Sequence, residues 1–351
     1  MDGRAVSSEG RGTPTLRRAL ASALWLAVVG LAIHLLLPQI ATLERSVDVV
    51  RSLTWWAVLL AVVTQTFSYA GNGYITRALA RIFGRGLGLL RCVGIVMGSY
   101  SLSLLWGGQI TQTGATFRWL RAAGVPAEGA LLVGVIPGLV NVFTIVVVSM
   151  FGLAYLLAVH RLSAALAAVF VVGLALLVLV TSVTAWGVQH RAWLRARLLQ
   201  MGRIVARLLR RSYDRAVGDA AAQRLFEAWD LLVSGAWRGP VVGDALNVGF
   251  DIVTLYLLFL AAHYTPSPGL VLAGYGLPLL AGKLAVLPGG LGVVEGGMVG
   301  LYEALGVPSG VVVVVILGYR LISFWIPALI GFSLVPILNR TRPSLGADRD
   351  G

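Results

Sequence analysis

Few side chains in this sequence are equipped for chemistry, and most of those stand alone inside apolar runs. Lys283 lies five residues before Pro288-Gly289-Gly290, Glu295 lies five after Gly290, and Arg320 falls about one third of the way into the last apolar run, Val311 to Leu338. A charge at the centre of a bilayer costs about 2.5–3.5 kcal/mol on insertion scales, so such residues are functional candidates by default. A chain folding back at 288–290 sets the limbs carrying Lys283 and Glu295 side by side, where an ion pair can form. That pair either serves a substrate or merely locks the hairpin.

Two carboxylates form a second set. Asp244, Asn247 and Asp251 are spaced i, i+3, i+7 and share one face of a helix, and Gln65, Ser68 and Asn72 repeat the spacing without the acids. Inward-facing acids of this kind can carry protons or attract a cationic head group, while a plain polar seam between helices explains them nearly as well. A third set follows Gly107-Gly108: Gln109, Thr111, Gln112, Thr113 and Thr116, ending at Arg118 and Arg121. Hydroxyls, amides and free N–H groups at a broken helix can hold phosphate oxygens, and arginine does so bidentately. The competing demand is that any bend in lipid must satisfy its own freed backbone.

Several chemistries are disfavoured. His34, His160, His190 and His263 are scattered without metal-ligand spacing, so no metal or other cofactor is expected. Cys92 is the only cysteine, and there is no phosphate-binding GxxxxGK[ST] loop. The 28 basic residues are 27 arginines and Lys283, for a net charge of +13. On a soluble chain that excess would suggest nucleic acid. Beside apolar runs it fixes topology and touches anionic lipid, so nucleic acid is not an expected partner.

The elements that carry these residues are set by composition. Of 351 residues, 58% are hydrophobic and 12% charged, with a mean hydropathy of +0.85. The expected fold class is therefore an all-α integral membrane protein, because soluble domains carry about 25% charged residues. Apolar runs cover Ala19 to Leu37, Leu53 to Ala70, Cys92 to Trp106, Ala127 to Val159, Leu162 to Trp186, Val241 to Ala262, Gly269 to Leu287, Leu291 to Leu305 and Val311 to Leu338. A basic amphipathic stretch, Arg77 to Arg91, precedes the third. The polar region from His190 to Arg238 reads as helical, either lying on the membrane surface or simply solvated. No segment outside the runs is long enough for an independent catalytic domain.

Self-similarity organises these runs. The segment from Gly107, GGQITQTGATFRWLRAAGVP, aligns without gaps on that from Gly289, GGLGVVEGGMVGLYEALGVP, at a constant offset of 182 with seven identities in twenty. If each GG segment is the bend of a hairpin, the repeats each contribute three full crossings and are mutually inverted. The prediction is about six full crossings plus two glycine-interrupted hairpins, roughly eight transmembrane helices. Repeat 1 covers about 19–159 and repeat 2 about 162–338. With the N-terminus inside, residues 1–18, 72–91, Arg118 with Arg121, 187–238 and the tail 339–351 are all cytoplasmic. These segments hold 23 of the 27 arginines.

LPGGLGVVEGGMVGLYEALGVP, from Leu287 to Pro308, with Gly318-Tyr319-Arg320 and Phe324-Trp325-Ile326-Pro327, resembles the C-terminal signature of the lysylphosphatidylglycerol synthetase/flippase-like transmembrane family, UPF0104. The Gly107-Gly108 segment is similar to that family's first bend, with its usual acidic wording replaced by GGQITQTG. The resemblance implies a stand-alone flippase-like membrane domain without the aminoacyl-transferase domain of the bifunctional members. It places Pro288, Gly289, Gly290, Glu295 and Arg320 at motif positions.

These observations lead to a lipid flippase-like transporter of a bacterial inner membrane, multi-pass with both termini cytoplasmic, moving a phospholipid or lipid-linked intermediate between leaflets. Arg118, Arg121 and Arg320 would engage phosphate, and Glu295, Asp244 and Asp251 would receive an amino group or proton. Gln109, Thr113 and Lys283 complete the expected substrate site. The expected partners are anionic or polyprenyl-linked lipids and lipid-biosynthetic enzymes. Absence of a catalytic motif argues against an enzyme. The alternative is a membrane-embedded enzyme or accessory subunit in glycolipid, hopanoid or other isoprenoid-lipid biosynthesis.

Overall fold

The computed structural model describes residues 47–83, 85–105, 108–159, 189–208, 232–284 and 288–340, with isolated positions between 168 and 230. The expected crossings at Ala19 to Leu37 and Leu162 to Trp186 lie wholly or largely outside these residues, as do both tails and Gly107. Among the described residues the secondary structure is helical and no strand occurs. A short α1, Val47–Ser52, leads into α2, Trp55–Ile82, then α3, Leu89–Leu105, α4, Gly108–Ala122, and α5, Ala127–Ala158. Beyond it come α6, Arg191–Leu208, α7, Arg238–Ala261, α8, Pro268–Leu284, α9, Val293–Ala304, and α10, Ser309–Arg320. A π-helical turn, Leu321–Trp325, joins α10 to α11, Ile326–Arg340, in one continuous rod. The chain is an all-α multi-pass membrane protein: α5, α7 and the rod Ser309–Arg340 are each long and apolar enough to cross a bilayer.

The offset of 182 reappears in the backbone. Gly108 and Gly290 both take positive φ, 50° and 65°, and Gly124 and Gly306 do so at 86° and 90°. Val125 N–H bonds the Leu120 carbonyl at 3.0 Å and Val307 N–H bonds that of Tyr302 at 3.0 Å, closing α4 and α9 with the same turn. Pro126 and Pro308 then start α5 and α10 in the same extended conformation. Gly-Val-Pro is the reason: glycine accepts the left-handed turn, and proline cannot continue a helix but suits the next first turn.

Equivalent helices α2 and α7 pack against one another, and they run antiparallel. Thr64 Oγ1 meets Thr254 Oγ1 at 2.8 Å, Asn247 Nδ2 donates to the Ser68 hydroxyl at 3.0 Å, and Thr54 N–H bonds the Ala261 carbonyl at 3.0 Å. Segments related by one offset yet antiparallel in contact are related by a two-fold axis across the helices, which is the geometry of an inverted repeat. The approach is close because both helices offer glycine. A Cβ on Gly71 would lie 2.8 Å from the Gly243 carbonyl, and one on Gly243 would lie 3.0 Å from that of Gly71. Small residues at a helix crossing are the means by which membrane helices gain packing.

The hairpins are exchanged between repeats. The limb α8 packs on α5 of the first repeat, where a Cβ on Gly152 would lie 2.5 Å from Ala273 Cα, and α3 packs on α11 of the second, where Gly331 meets the Met97 carbonyl. Two apolar clusters are the largest among the described residues. One gathers Ile75, Leu79, Ile95, Trp119, Leu120 and Val133, the other Leu255, Phe259, Met298, Tyr302 and Ile316. Outward faces carry Trp55, Leu59, Phe67, Phe143 and Phe151, as a lipid-facing surface requires. One expected element differs: Arg77 and Arg81 belong to the last turns of α2 instead of a separate amphipathic stretch, because Ile75, Leu79 and Ala80 continue its buried face.

Candidate functional site

At the second bend, Gly289, Gly290 and Gly292 all have positive φ, 66°, 65° and 80°, which turns the chain between α8 and α9 within a few residues. The Gly292 N–H, orphaned at the start of α9, donates to Glu295 Oε2 at 2.7 Å. Glu295 Oε1 accepts from Arg320 Nε at 2.6 Å, with side-chain exposures of 4% and 6%. Arg320 also reaches the Gly289 carbonyl at 3.4 Å and lies 4.2 Å from the centre of the Phe324 ring. Both Glu295 oxygens and two Arg320 nitrogens are thus engaged at the bend or in the pair itself. The ion pair of Lys283 with Glu295 that the folded-back chain would permit is therefore corrected: Arg320 of α10 supplies the partner, and both side chains are buried.

Asp251 sits in the interior among tyrosines. Its Oδ2 accepts hydrogen bonds from Tyr275 on α8 at 2.8 Å and Tyr319 on α10 at 2.7 Å, and the Gln65 amide of α2 approaches it. Asp244, two turns earlier on α7, is 1% exposed. Asn141 of α5 donates to its Oδ1 at 3.1 Å, with Thr144 alongside. Lys283 retains accessible surface, and its charge acts on Asp244 without a direct ion-pair contact. Asp251 Oδ1, Asp244 Oδ2 and Gln65 Oε1 are buried with no partner among the described residues. Such atoms are rare and expensive where nothing binds them. The face shared by Asn247 and Ser68 is, by contrast, a satisfied polar seam.

The first bend is dressed differently. Thr113 Oγ1 donates to the Gly134 carbonyl at 3.2 Å, tying α4 to α5, and exposed Gln109 lies beside Gly138. Arg118 donates to Asn339 Oδ1 near the end of α11, joined there by Trp119 Nε1 at 3.0 Å, and Arg121 caps the Val125 carbonyl at 3.1 Å. Asn339 lies 19 residues beyond Arg320, about 28 Å along the rod. The structure thus does not bring Arg118 and Arg121 to Arg320.

The second bend nevertheless reaches the end of α3 and the rod. A Cβ on Gly289 would lie 2.5 Å from the Phe324 ring and 3.4 Å from Leu104 at the end of α3. Tyr100 packs edge-on against Phe324 with centroids 5.7 Å apart. Pro327 lacks the N–H that would bond the Ser323 carbonyl four residues back, and the Tyr69 hydroxyl donates to that carbonyl instead, at 3.0 Å. The π-helical turn after Arg320 falls where this ladder is interrupted.

A family model described as the lysylphosphatidylglycerol synthase TM region matches residues 14–331. The chain belongs to this family. A UPF0104 membrane protein of Methanocaldococcus jannaschii is similar, 34% identical over 91 residues, which are 26% of this chain and 27% of that relative. The alignment thus spans well under two thirds of the relative's length. In this lysylphosphatidylglycerol synthase TM-region protein no cluster of three metal-binding side chains assembles among the described residues.

Sequence reasoning missed Tyr275, Asn141 and Tyr69 as partners of the acidic and bend sites. Asn141 was findable as an amide inside the 32-residue apolar helix α5. The tyrosines were not, since an aromatic in an apolar run carries no sign of which way its hydroxyl points. On the surface helix α6, Arg191 is hydrogen-bonded to Asp230 and Arg195 to Asp219 at 3.0 Å, while Arg197 lies 5.4 Å from the Trp193 ring centre. The Arg191 guanidinium holds the Asp230 carboxyl below the usual carboxylate range.

Proposed function

We propose that this protein is a flippase-like lipid transporter, moving a phospholipid or lipid-linked intermediate between the leaflets of a bacterial inner membrane with both termini cytoplasmic. One observation carries the reading. A membrane bundle needs no interior acids, yet Asp244 and Asp251 lie on one face of α7 with buried oxygens left unpaired among the described residues. Unpaired acceptors at that depth suit a ligand that brings donors or cations into the bundle. Interrupted helices at matching positions of two inverted repeats mark substrate sites in secondary transporters.

In this reading Arg320 and Glu295 are positioning residues. They hold the second bend against the rod so that α8 presents Lys283, Tyr275 and the approach to Asp251. Lys283, with its accessible surface, meets the phosphate, and the acyl chains stay along the outward apolar faces. Arg118 and Arg121 fix the end of α4 instead of contacting the head group.

The test is reconstitution into liposomes carrying fluorescent phosphatidylglycerol, phosphatidylethanolamine or a polyprenyl phosphate. Wild type is expected to raise the transbilayer rate of at least one class, and Asp251→Asn to lower it. Wild-type rates equal to empty liposomes for every class would refute transport and turn attention to an enzyme or accessory role in lipid biosynthesis.

A further inference from the structure

Lys283 is the one lysine among 28 cationic side chains and is placed beside a bend inside the membrane domain. Its structural surroundings are one-sided. Asp244 is nine-tenths and more buried, Asn141 satisfies only Oδ1, and Oδ2 has no partner among the described residues. Of the elements packed against this part of α7, α5 offers the neutral Asn141 and Thr144, α2 offers the Gly71 to Ile75 surface, and α8 offers Tyr275 and Lys283. Tyr319 and Arg320 of α10 act on Asp251, two turns away. The Tyr275–Asp251 bond at 2.8 Å sets the register of α8 on α7, and eight residues further along α8, seven back along α7, Lys283 comes level with Asp244 as the cation nearest in register.

The pair also lies at a telling depth. Asp244 is six residues into α7, about 9 Å along the axis from Arg238, where the polar region ends. Gly282, next to Lys283, packs on Gly290 of the bend, so the ammonium sits at the tip of the α8 limb. That limb is 17 residues, about 25 Å, long enough to cross most of a hydrocarbon core from the opposite side. The tip therefore lies toward the Arg238 end of α7, the side on which the polar region stands. At the equivalent tip of the first hairpin stands Ser101, whose single hydroxyl proton is shared between the Met97 and Ala328 carbonyls, both at 2.8 Å.

We propose that Lys283 and Asp244 link the binding of an anionic phosphate head group to the uptake of one proton. When a lipid phosphate engages the Lys283 ammonium, Asp244 loses its counter-charge, and a buried carboxylate without one takes a proton, received at the free Oδ2. Release of the phosphate restores the attraction, and the proton leaves Asp244 for water. Anionic lipid and proton thus enter together, one for one. This deepens the transporter reading and rests on it for its physiological sense, while the linkage itself is measurable without transport.

The intact protein in nanodiscs is treated with an amine-reactive reagent, and modification of Lys283 is followed by mass spectrometry. Phosphatidylglycerol discs are expected to protect Lys283 relative to phosphatidylcholine discs, whereas soluble glycerol phosphate does not protect it. Asp244→Asn is expected to speed labelling about tenfold near neutral pH, as removal of an adjacent opposite charge favours the free amine. In liposomes with a trapped pH dye, phosphatidylglycerol movement is expected to carry protons in wild type, and the number of protons carried per lipid moved is expected to fall in Asp244→Asn. Lys283→Gln should lose the preference for phosphatidylglycerol. Protection by soluble glycerol phosphate equal to that by lipid overturns the lipid assignment, and unchanged labelling in Asp244→Asn overturns the linkage. Absent lipid movement with intact protection and a faster Asp244→Asn variant would retire the transporter reading alone.

Discussion

At the first bend Thr113 shares its hydroxyl with the Gly134 carbonyl, and Gly138 lies nearby with no side chain at all. At the positions 182 residues on, Glu295 and Arg320 form a buried ion pair. The same exchange recurs twice more: the satisfied Ser101 corresponds to Lys283, and Tyr69, spent on the Ser323 carbonyl, corresponds to Asp251. Backbone turns survive in both halves because glycine and proline at fixed positions leave few alternatives. Side chains were free to diverge, and the interior charge accumulated in one half. A two-fold frame therefore carries one charged site, with the first hairpin as its neutral wall.

The comparison breaks most visibly at the ion pair. Glu295→Gln or Arg320→Ala leaves one buried charge without its partner and should lower stability by about 3–5 kcal/mol. Thr113→Ala, at the equivalent place, should lose only about 1 kcal/mol. Thermal unfolding in detergent reads both, and the double replacement Glu295→Leu with Arg320→Met should recover most of the loss. Equal effects at both bends would mean the charges add nothing to the second hairpin. A smaller contrast is expected between the bend glycines. Gly290→Ala meets both a positive φ and the Gly282 Cα at 2.9 Å, and should lose about 2–3 kcal/mol. Gly108→Ala meets open space at φ 50° and should lose about 1 kcal/mol.

Tyr69→Phe strips the donor from the carbonyl freed by Pro327 and should lower stability by about 1 kcal/mol, sharpening the difference between Tyr69 and its counterpart Asp251. Asp251→Asn should reduce lipid movement with little change in unfolding temperature, since an amide oxygen still accepts from both tyrosines. Smallest of all is the surface pair. Asp230→Asn on the exposed face beside α6 should leave the unfolding temperature unchanged, because screened and solvated ion pairs add little.

Composition and run length made the membrane class legible, and the GVP-terminated repeat made both bends legible, because glycine and proline act through the local backbone. The i, i+3, i+7 spacing of Asp244, Asn247 and Asp251 correctly placed them on one face of α7. It could not show that Asn247 would be spent on Ser68 while both acids kept an oxygen free, since that depends on which helix lies opposite.

The charges near the second bend show where the boundary falls. Glu295 and Lys283 look like natural partners along the chain, yet Glu295 turned to Arg320, and Lys283 makes no ion-pair contact with it. Arg118 and Arg121 look like phosphate ligands, yet α11 ends beside them and Asn339 takes up Arg118. Local sequence determined where this chain bends, which stretches are helical, and which residues are too polar for lipid. Tertiary packing alone decided their partners, because a charge in a low-dielectric interior is governed by whatever lies within a few ångströms, and those neighbours come from helices tens to hundreds of residues away.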